Sequence, residues 1–334
     1  MGKNSQDLLS RFKEHLEHKK FFKPGARILV ACSGGPDSVA LFHLMEKLSR
    51  ANGWTLGLLH FNHQLRPRNA KRDEQFVRRL ARKCRIPFFA GRGNVAFAAK
   101  KEKISLEECA RQRRYDFFLQ TARARKFPVI VLAHTLDDQA ETVLMRVIQG
   151  TGLRGLEGIR ECFKRDGVTL ARPLLAFCKK ELLEFLHAGK FRFCKDETND
   201  SLRFLRNRIR LKLIPQLRRD FNPRVMEALS RIPAIVAEEN ALLSELEEAA
   251  WSKVFKKCTK KKLSLQRASF LKFPAPLQFR ILERALKRLD PKSGLSFEAW
   301  EKLRRGLGRP AYRHSLPKDI DFSMTRKSVT LYRK

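Results

Sequence analysis

The sequence predicts an α/β fold, a parallel sheet with helices on both faces, followed by a smaller α+β domain. Three observations carry this expectation. From about residue 27 to 149, short apolar runs alternate with longer segments of helical period, the pattern of β-α-β units. Polar residues cluster directly after each run, where open parallel sheets bind ligands. Late in the chain two alternating stretches, 320–324 and 329–332, have the look of a hairpin.

The apolar runs are 28–31, 56–61, 86–89 and 129–133. Helical segments at 37–51, 69–84 and 104–126 separate them, and a fourth begins near Leu136; each is long enough for the crossover that parallel strands require. The glycine-rich stretch 150–158 reads as a mobile loop that could close over a site. Then come Arg172-Pro173-Leu174-Leu175, a short helix at 179–187, a polar turn at 195–200 and a basic helix at 202–213. Leu202, Leu205, Ile209 and Leu213 form the apolar stripe of that helix. Pro215 and Asn222-Pro223 mark the expected boundary, giving domains 1–217 and 218–334. Residues 226–251 read as an acidic linker helix interrupted by Pro233, followed by the basic run 256–262 and short helices at 276–289 and 297–303.

Lys and Arg number 71 against 35 Asp and Glu, a net charge of +36 that calls for a polyanionic partner. With 43% hydrophobic residues in the same chain, this charge belongs to folded surfaces more than to a disordered tail. No apolar run approaches the ~20 residues of a membrane span. The opening residues, MGKNSQ, lack an apolar signal core, and Gln6 stands where a myristoylation signal needs Ser or Thr. Seven scattered cysteines without a C-x-x-C pair suggest neither a disulfide framework nor a zinc site, and fit a reducing cytosol.

The loop Ser33-Gly34-Gly35-Pro36-Asp37-Ser38 follows a strand and opens a helix. Its glycines let backbone N–H groups converge on phosphate oxygens. It lacks the lysine of the G-x-x-x-x-G-K-[ST] loop. Asp37 would repel phosphate unless a cation intervened, which points to Mg²⁺ between the carboxylate and a polyphosphate. The plainer alternative is a glycine turn with an ordinary helix start.

S-G-G-x-D-S resembles the pyrophosphate-binding loop of the N-type ATP pyrophosphatases, the PP-loop superfamily. Further motifs resemble those of the tRNA(Ile)-lysidine synthetases within it: His60-Phe61-Asn62-His63-Gln64-Leu65-Arg66, Glu108 to Tyr115, Asp137 to Thr142, Gly150 to Gly158, Arg172 to Leu175 and Arg206-Asn207-Arg208-Ile209-Arg210. The similarity is dense over residues 20–217 and weak beyond. It implies an adenine nucleotide alpha hydrolase-like, Rossmann-like fold. It also implies an enzyme that splits ATP between its α and β phosphates with Mg²⁺, and joins free lysine to the wobble cytidine of tRNA(Ile) with a CAU anticodon. Two departures stand out: Thr135 replaces a usual second histidine after His134, and Asp196-Glu197-Thr198-Asn199 replaces a turn that often holds proline and serine.

The same resemblance assigns roles. Ser33 to Ser38, His60, Asn62, Arg206 and Arg208 would contact ATP, or RNA phosphate for the two arginines, with Asp37 on the metal. Arg111 and Arg114, three apart on a helix, could reach the α-phosphate. Asp137, Asp138 and Glu141 could share one helix face and hold and deprotonate the lysine amine, and His134 ends a strand at the ligand edge. Each has a structural alternative. Thr135 and Asp138 have capping-box spacing, helix arginines are commonly solvated, and His134 could be packed for structure. A tRNA thiolase and a non-catalytic RNA-binding protein compete with this reading; the first commonly shows C-x-x-C pairs, absent here.

Overall fold

The computed structural model describes residues 3–64, 67–194, 202, 205–291, 293–316 and 318–333. Leu65, Arg66, Arg203 and the polar turn with Asp196 and Asn199 lie outside the described residues. The chain divides into two compact units, Met1–Ala234 and Ile235–Lys334. This division lies beyond the boundary expected at 217, because Ile209, Ile214 and Met226 are buried together against Ala140 in the first unit. The proline that was expected to interrupt the linker sits inside one continuous helix, Val225–Val254.

In the first unit six strands form one sheet: β1 (Arg27–Ala31), β2 (Thr55–Asn62), β3 (Phe88–Arg92), β4 (Val129–Val131), β5 (Cys162–Arg165) and β6 (Val168–Ala171). Their order is β3-β2-β1-β4-β6-β5. All neighbouring pairs are parallel except β5 with β6, which is antiparallel at the edge. The helices are α1 (Lys3–His18), α2 (Pro36–Ser49), α3 (Pro67–Lys83), α4 (Val95–Glu102), α5 (Leu106–Ala124), α6 (Leu136–Ile148), α7 (Leu153–Leu156), α8 (Lys179–Ala188), α9 (Leu205–Arg208), α10 (Ile214–Asp220) and the first residues of α11 (Val225–Val254), whose larger part belongs to the second unit.

Period-two alternation along β1 builds a core on each face. Ile28 and Val30 pack with α1, α2, α3 and α8 through Phe12, Phe42, Val77 and Phe185. Leu29 and Ala31 pack with α5 through Tyr115, Phe118 and Leu119. Burial on both faces explains why β1 reads as an unbroken apolar run, as central parallel strands do. The strand order reverses direction between β1 and β4, so the crevice beyond their carboxyl ends is the topological switch point.

Two expected elements differ. The glycine-rich stretch contains α7 and is tied to α6: Gln139 bonds both backbone groups of Ile159, at 3.0 and 2.7 Å, and Arg146 donates to the Gly155 and Gly158 carbonyls. The basic helix is α9 followed by a π-helical turn, Ile209–Leu213, that runs into α10. Leu205, Ile209 and Leu213 form its apolar stripe, whereas Leu202 is exposed.

In the second unit, β7 (Phe255–Cys258), β8 (Lys262–Gln266), β9 (Tyr312–Leu316), β10 (Ile320–Met324) and β11 (Ser328–Arg333) form an antiparallel sheet ordered β7-β8-β11-β10-β9. The expected hairpin is β10 with β11. Helices α12 (Arg267–Leu271), α13 (Ala275–Leu289) and α14 (Phe297–Gly306) supply Phe270, Ile281 and Leu303 to a second core around Phe322.

Phe322 is fully buried in that core, and truncating a buried phenylalanine costs about 3–5 kcal/mol. Phe322→Ala is expected to abolish slow hydrogen exchange in β8, β10 and β11 while leaving β1 and β4 protected. Equal loss of protection in both sheets would contradict two separate cores.

Candidate active site

The loop after β1 is held open by its own atoms. Gly34 has φ +96°, a left-handed conformation that suits glycine, and its carbonyl accepts from the Cys194 N–H at 2.8 Å. Ser38 Oγ donates to the Gly35 carbonyl at 2.9 Å and accepts from the Ser33 N–H at 3.2 Å. Pro36 begins α2, where its missing N–H is harmless. The loop therefore sits at the positive end of a helix, the arrangement that attracts phosphate.

Across the crevice, α6 begins with a capping box. Thr135 Oγ1 accepts from the Asp138 N–H at 3.3 Å, and the Thr135 N–H donates to Asp138 Oδ2 at 3.0 Å. The structural alternative for Asp138 thus exists alongside a second role. Its other oxygen, Oδ1, accepts from Lys179 at 3.2 Å and Arg206 at 3.1 Å, with Arg210 at 3.5 Å. These cations hold the carboxyl far below its ordinary range despite burial, the largest single influence, which acts the other way.

Glu141 is paired with arginines. Only 1% exposed, it spends both oxygens on Arg206 at 2.9 Å and on Arg210 at 2.5 and 2.9 Å. A carboxylate so engaged anchors the α9 segment. Arg206 is likewise committed to carboxylates in this structure, not free for phosphate; Arg208 is exposed.

Asp37 stands apart within this cluster. Among the described residues its nearest cation, Lys179 Nζ, is 3.9 Å away. Burial lifts its carboxyl from 3.8 to about 6; Lys179 opposes that, and Asp138 and Asp137 add to it. Asp137 Oδ2 accepts from the Lys179 backbone N–H at 2.8 Å. Lys179 thus ties together Asp37, Asp137 and Asp138, a role the sequence reading missed. One signal existed: a lysine in the first turn of a helix opposes the helix dipole, which invites a search for nearby carboxylates.

Two cavities flank the cluster. One, of about 670 Å³, is lined by Ser33, Ser38, His60, Asn62, Arg114 and His134 among others, a size that suits a nucleotide. The other, of about 490 Å³, is lined by Asp137, Glu141, Lys179 and Arg210 with part of α10. Arg111 does not join Arg114 in the first cavity: it is exposed, 4.9 Å from the Tyr115 ring, beside Glu108 and Arg165.

The cavity's polar residues are braced from behind. His60 Nδ1 lies 2.9 Å from the Cys32 carbonyl, which can only accept, so Nδ1 carries the proton. Asn62 is largely committed to structure: it donates to Glu74 at 3.2 Å and the Ala70 carbonyl at 3.3 Å, and accepts from the Gln64 N–H at 3.0 Å. Arg92 and Arg78 hold the Glu74 carboxyl down at about 2.

A family model described as a PP-loop domain matches residues 4–217, which include the whole loop and both helices of the cluster. The chain belongs to the PP-loop family. Similar PP-loop proteins include two called tRNA(Ile)-lysidine synthase. The one from Geobacter sulfurreducens is 40% identical over 69% of this chain and 48% of its own length. The one from Clostridium acetobutylicum is 35% identical over 81% and 58%. The chain thus spans about half the length of the curated relatives it matches. Among solved structures, the U34-tRNA thiolase NcsA from Methanococcus maripaludis shares the fold, with a TM-score of 0.58 at 18% identity over 70% of this chain and 79% of that one.

The raised Asp37 value has a consequence for stability. The folded protein holds this proton more tightly than the unfolded chain between about pH 4 and 6, so stability falls as pH rises through that window. Asp37→Asn is expected to melt higher than the parent at pH 7.5, by up to about 3 kcal/mol. The gap should close below about pH 4. A variant less stable than the parent at neutral pH would show that Asp37 is not electrostatically stressed.

Proposed function

We propose that this PP-loop protein uses ATP to activate the wobble cytidine of tRNA(Ile) with a CAU anticodon and attaches free L-lysine to it, yielding lysidine, AMP and pyrophosphate. The observation that carries this reading is one crevice edge that joins an anion-binding loop, a nucleotide-sized cavity and an incompletely neutralised carboxylate, Asp37. The names of the two relatives supply the substrate. The compartment that holds these substrates together is the cytoplasm; among the described residues no helix is long and apolar enough to cross a membrane.

In the first step the cytidine O2 attacks the α-phosphorus and the bond to pyrophosphate breaks. The N–H groups at the start of α2 that the loop does not use itself, and Arg114, would meet the charge that grows there. Among the described residues no three His, Cys, Asp or Glu side chains gather as a metal cage. Mg²⁺ needs none, since it is commonly held by one or two carboxylates with phosphate oxygens and water. Asp37, half-buried, with its carboxyl raised by desolvation and then by Asp138 and Asp137, fits that need, and a bound ion would supply neutralisation for the leaving pyrophosphate.

In the second step the lysine amine attacks C2 and AMP leaves with the oxygen. A free ammonium with pKa about 10.4 costs roughly 4–5 kcal/mol to deprotonate near pH 7. Asp137 lines the smaller cavity and is the carboxylate we assign to hold the ammonium and accept its proton. Asp138 and Glu141 act through Lys179, Arg206 and Arg210, which shape the same wall. His134 faces the nucleotide.

The second unit fits phosphate contacts. Lys256, Lys257, Lys260, Lys261, Lys262, Arg304, Arg305, Arg309 and Arg313 are all exposed. A bulge in β7 between Phe255 and Lys257 interrupts the alternation, leaving both adjacent lysines in solvent. Such contacts position RNA without reading its sequence.

Incubation with ATP, isotopically labelled lysine and tRNA should add one labelled lysine to the tRNA, read by mass spectrometry of its nucleosides. Asp37→Asn should lower the rate by more than about tenfold, a loss of 1.4 kcal/mol, with tRNA affinity unchanged. No label in tRNA, with pyrophosphate still released, would defeat the lysine assignment and favour another PP-loop modification.

Binding of tRNA should weaken steeply with salt, since each neutralised phosphate adds about 0.7–0.9 to the log–log slope. A slope shallower than about 3 would mean that the positive surface is not a tRNA footprint.

A further inference from the structure

Arg172 follows β6 and is buried, only 3% exposed. Its guanidinium is fixed in three directions. Nε donates to His134 Nδ1 at 3.2 Å, Nη1 to the Arg160 carbonyl at 2.6 Å, and Nη2 to the Tyr115 hydroxyl at 3.0 Å. The Phe163 ring covers the group at 5.0 Å. A guanidinium has donors only and keeps its proton throughout the ordinary pH range. The His134 nitrogen that meets it must therefore offer a lone pair.

That requirement decides the rest of the ring. With Nδ1 an acceptor, the neutral imidazole carries its proton on Nε2. An imidazolium would set an N–H against the N–H of Arg172. Nε2 has no partner among the described residues, and His134 lines the nucleotide-sized cavity beside Ser33, Ser38 and Arg114. We infer that Arg172 is a positioning residue that locks His134 as the Nε2–H tautomer, making it a neutral hydrogen-bond donor to a phosphoryl oxygen of the bound nucleotide. The nucleotide part of this inference rests on the proposed function; the tautomer does not.

The charged surroundings agree. Burial drives the His134 value down to about 3, Arg172, Arg114 and Arg111 push the same way, and Asp138 alone among these neighbours opposes them. These charges and the Arg172 hydrogen bond both favour the neutral ring. His60, in the same cavity, is held in the opposite tautomer by the Cys32 carbonyl, and provides an internal contrast.

The test is nitrogen-detected NMR of the full chain labelled with ¹⁵N-histidine, with His134 assigned by its disappearance in His134→Gln. The expected result is an Nε2–H form that does not titrate from about pH 5 to 8, while His60 reports Nδ1–H. In Arg172→Met the His134 signals should move toward exchange between tautomers or gain a titration. Tyr115→Phe, which removes another of the Arg172 partners, should leave them unchanged. An Nδ1–H or imidazolium His134 in the parent protein overturns the inference without any variant having to fold; unaltered signals in a folded Arg172→Met do so as well.

Isothermal titration with ATP then tests the donor role. A glutamine amide nitrogen can stand where Nε2 stands, whereas that of asparagine stands near Nδ1. His134→Gln should keep ATP affinity within about threefold and His134→Asn should lose about tenfold or more. Equal affinities in the two variants overturn the donor role. Failure of the parent protein to bind ATP would strike the proposed function and the donor role, and leave the tautomer result standing.

Discussion

The crevice depends on charge neutralisation among residues that lie far apart in the chain. Asp37 at the start of α2 and Asp137, Asp138 and Glu141 at the start of α6 face Lys179, Arg206 and Arg210. Asp138 and Glu141 are buried, and a buried charge needs a partner. The basic segment cannot be understood as a solvated helix face, because Arg206 and Arg210 hold it onto α6 through Glu141. Removing one partner would strand the other charge in a poorly solvated place, the costly way to break a buried pair. The π-helical turn at Ile209–Leu213 lies where these arginines must reach the same carboxylate, and such turns are frequent at functional sites.

Neutralisation is uneven, and the unevenness has chemical use. Asp138 is surrounded by cations and pinned by the Thr135 cap, so it stays ionised under all ordinary conditions. Asp37 has one cation at 3.9 Å and two acidic neighbours. It is the group with unmet demand for positive charge, and it sits on the loop that would receive a polyphosphate. Strain of this kind concentrates at functional sites, where stability and activity pull apart.

Much of the first unit was legible because its signals are local. The runs at 28–31, 56–61 and 129–133 match β1, β2 and β4, since central strands buried on both faces must be apolar throughout. The run at 86–89 was displaced: Ile86 packs into the core before β3 begins at Phe88. β5 went unseen because it is a largely exposed edge strand with no apolar run, and β6 because Thr169 breaks its four residues. Helix α1 was missed although Leu8, Phe12 and Leu16 recur at a four-residue spacing and are buried. The loop, His134 and the acidic pair were visible as motifs. Lys179 and Arg172 were not visible as functional residues, because their partners are 38 to 57 positions away or more, as in Arg172 with His134 and with Tyr115.

Thr135 shows how a departure from the family pattern can be absorbed. Histidine is the residue the resemblance leads one to expect there, yet threonine is a strong N-cap, contributing about 1 kcal/mol to the helix it begins. By taking the Asp138 N–H and giving its own N–H to Asp138 Oδ2, Thr135 fixes one carboxylate oxygen toward the backbone. The other oxygen is left aimed at Lys179, Arg206 and Arg210. Thr135 is itself fully buried, so it has no surface with which to meet a ligand. In this chain the position therefore belongs to the scaffold that orients Asp138, and His134 is the imidazole just before α6 that lines the cavity.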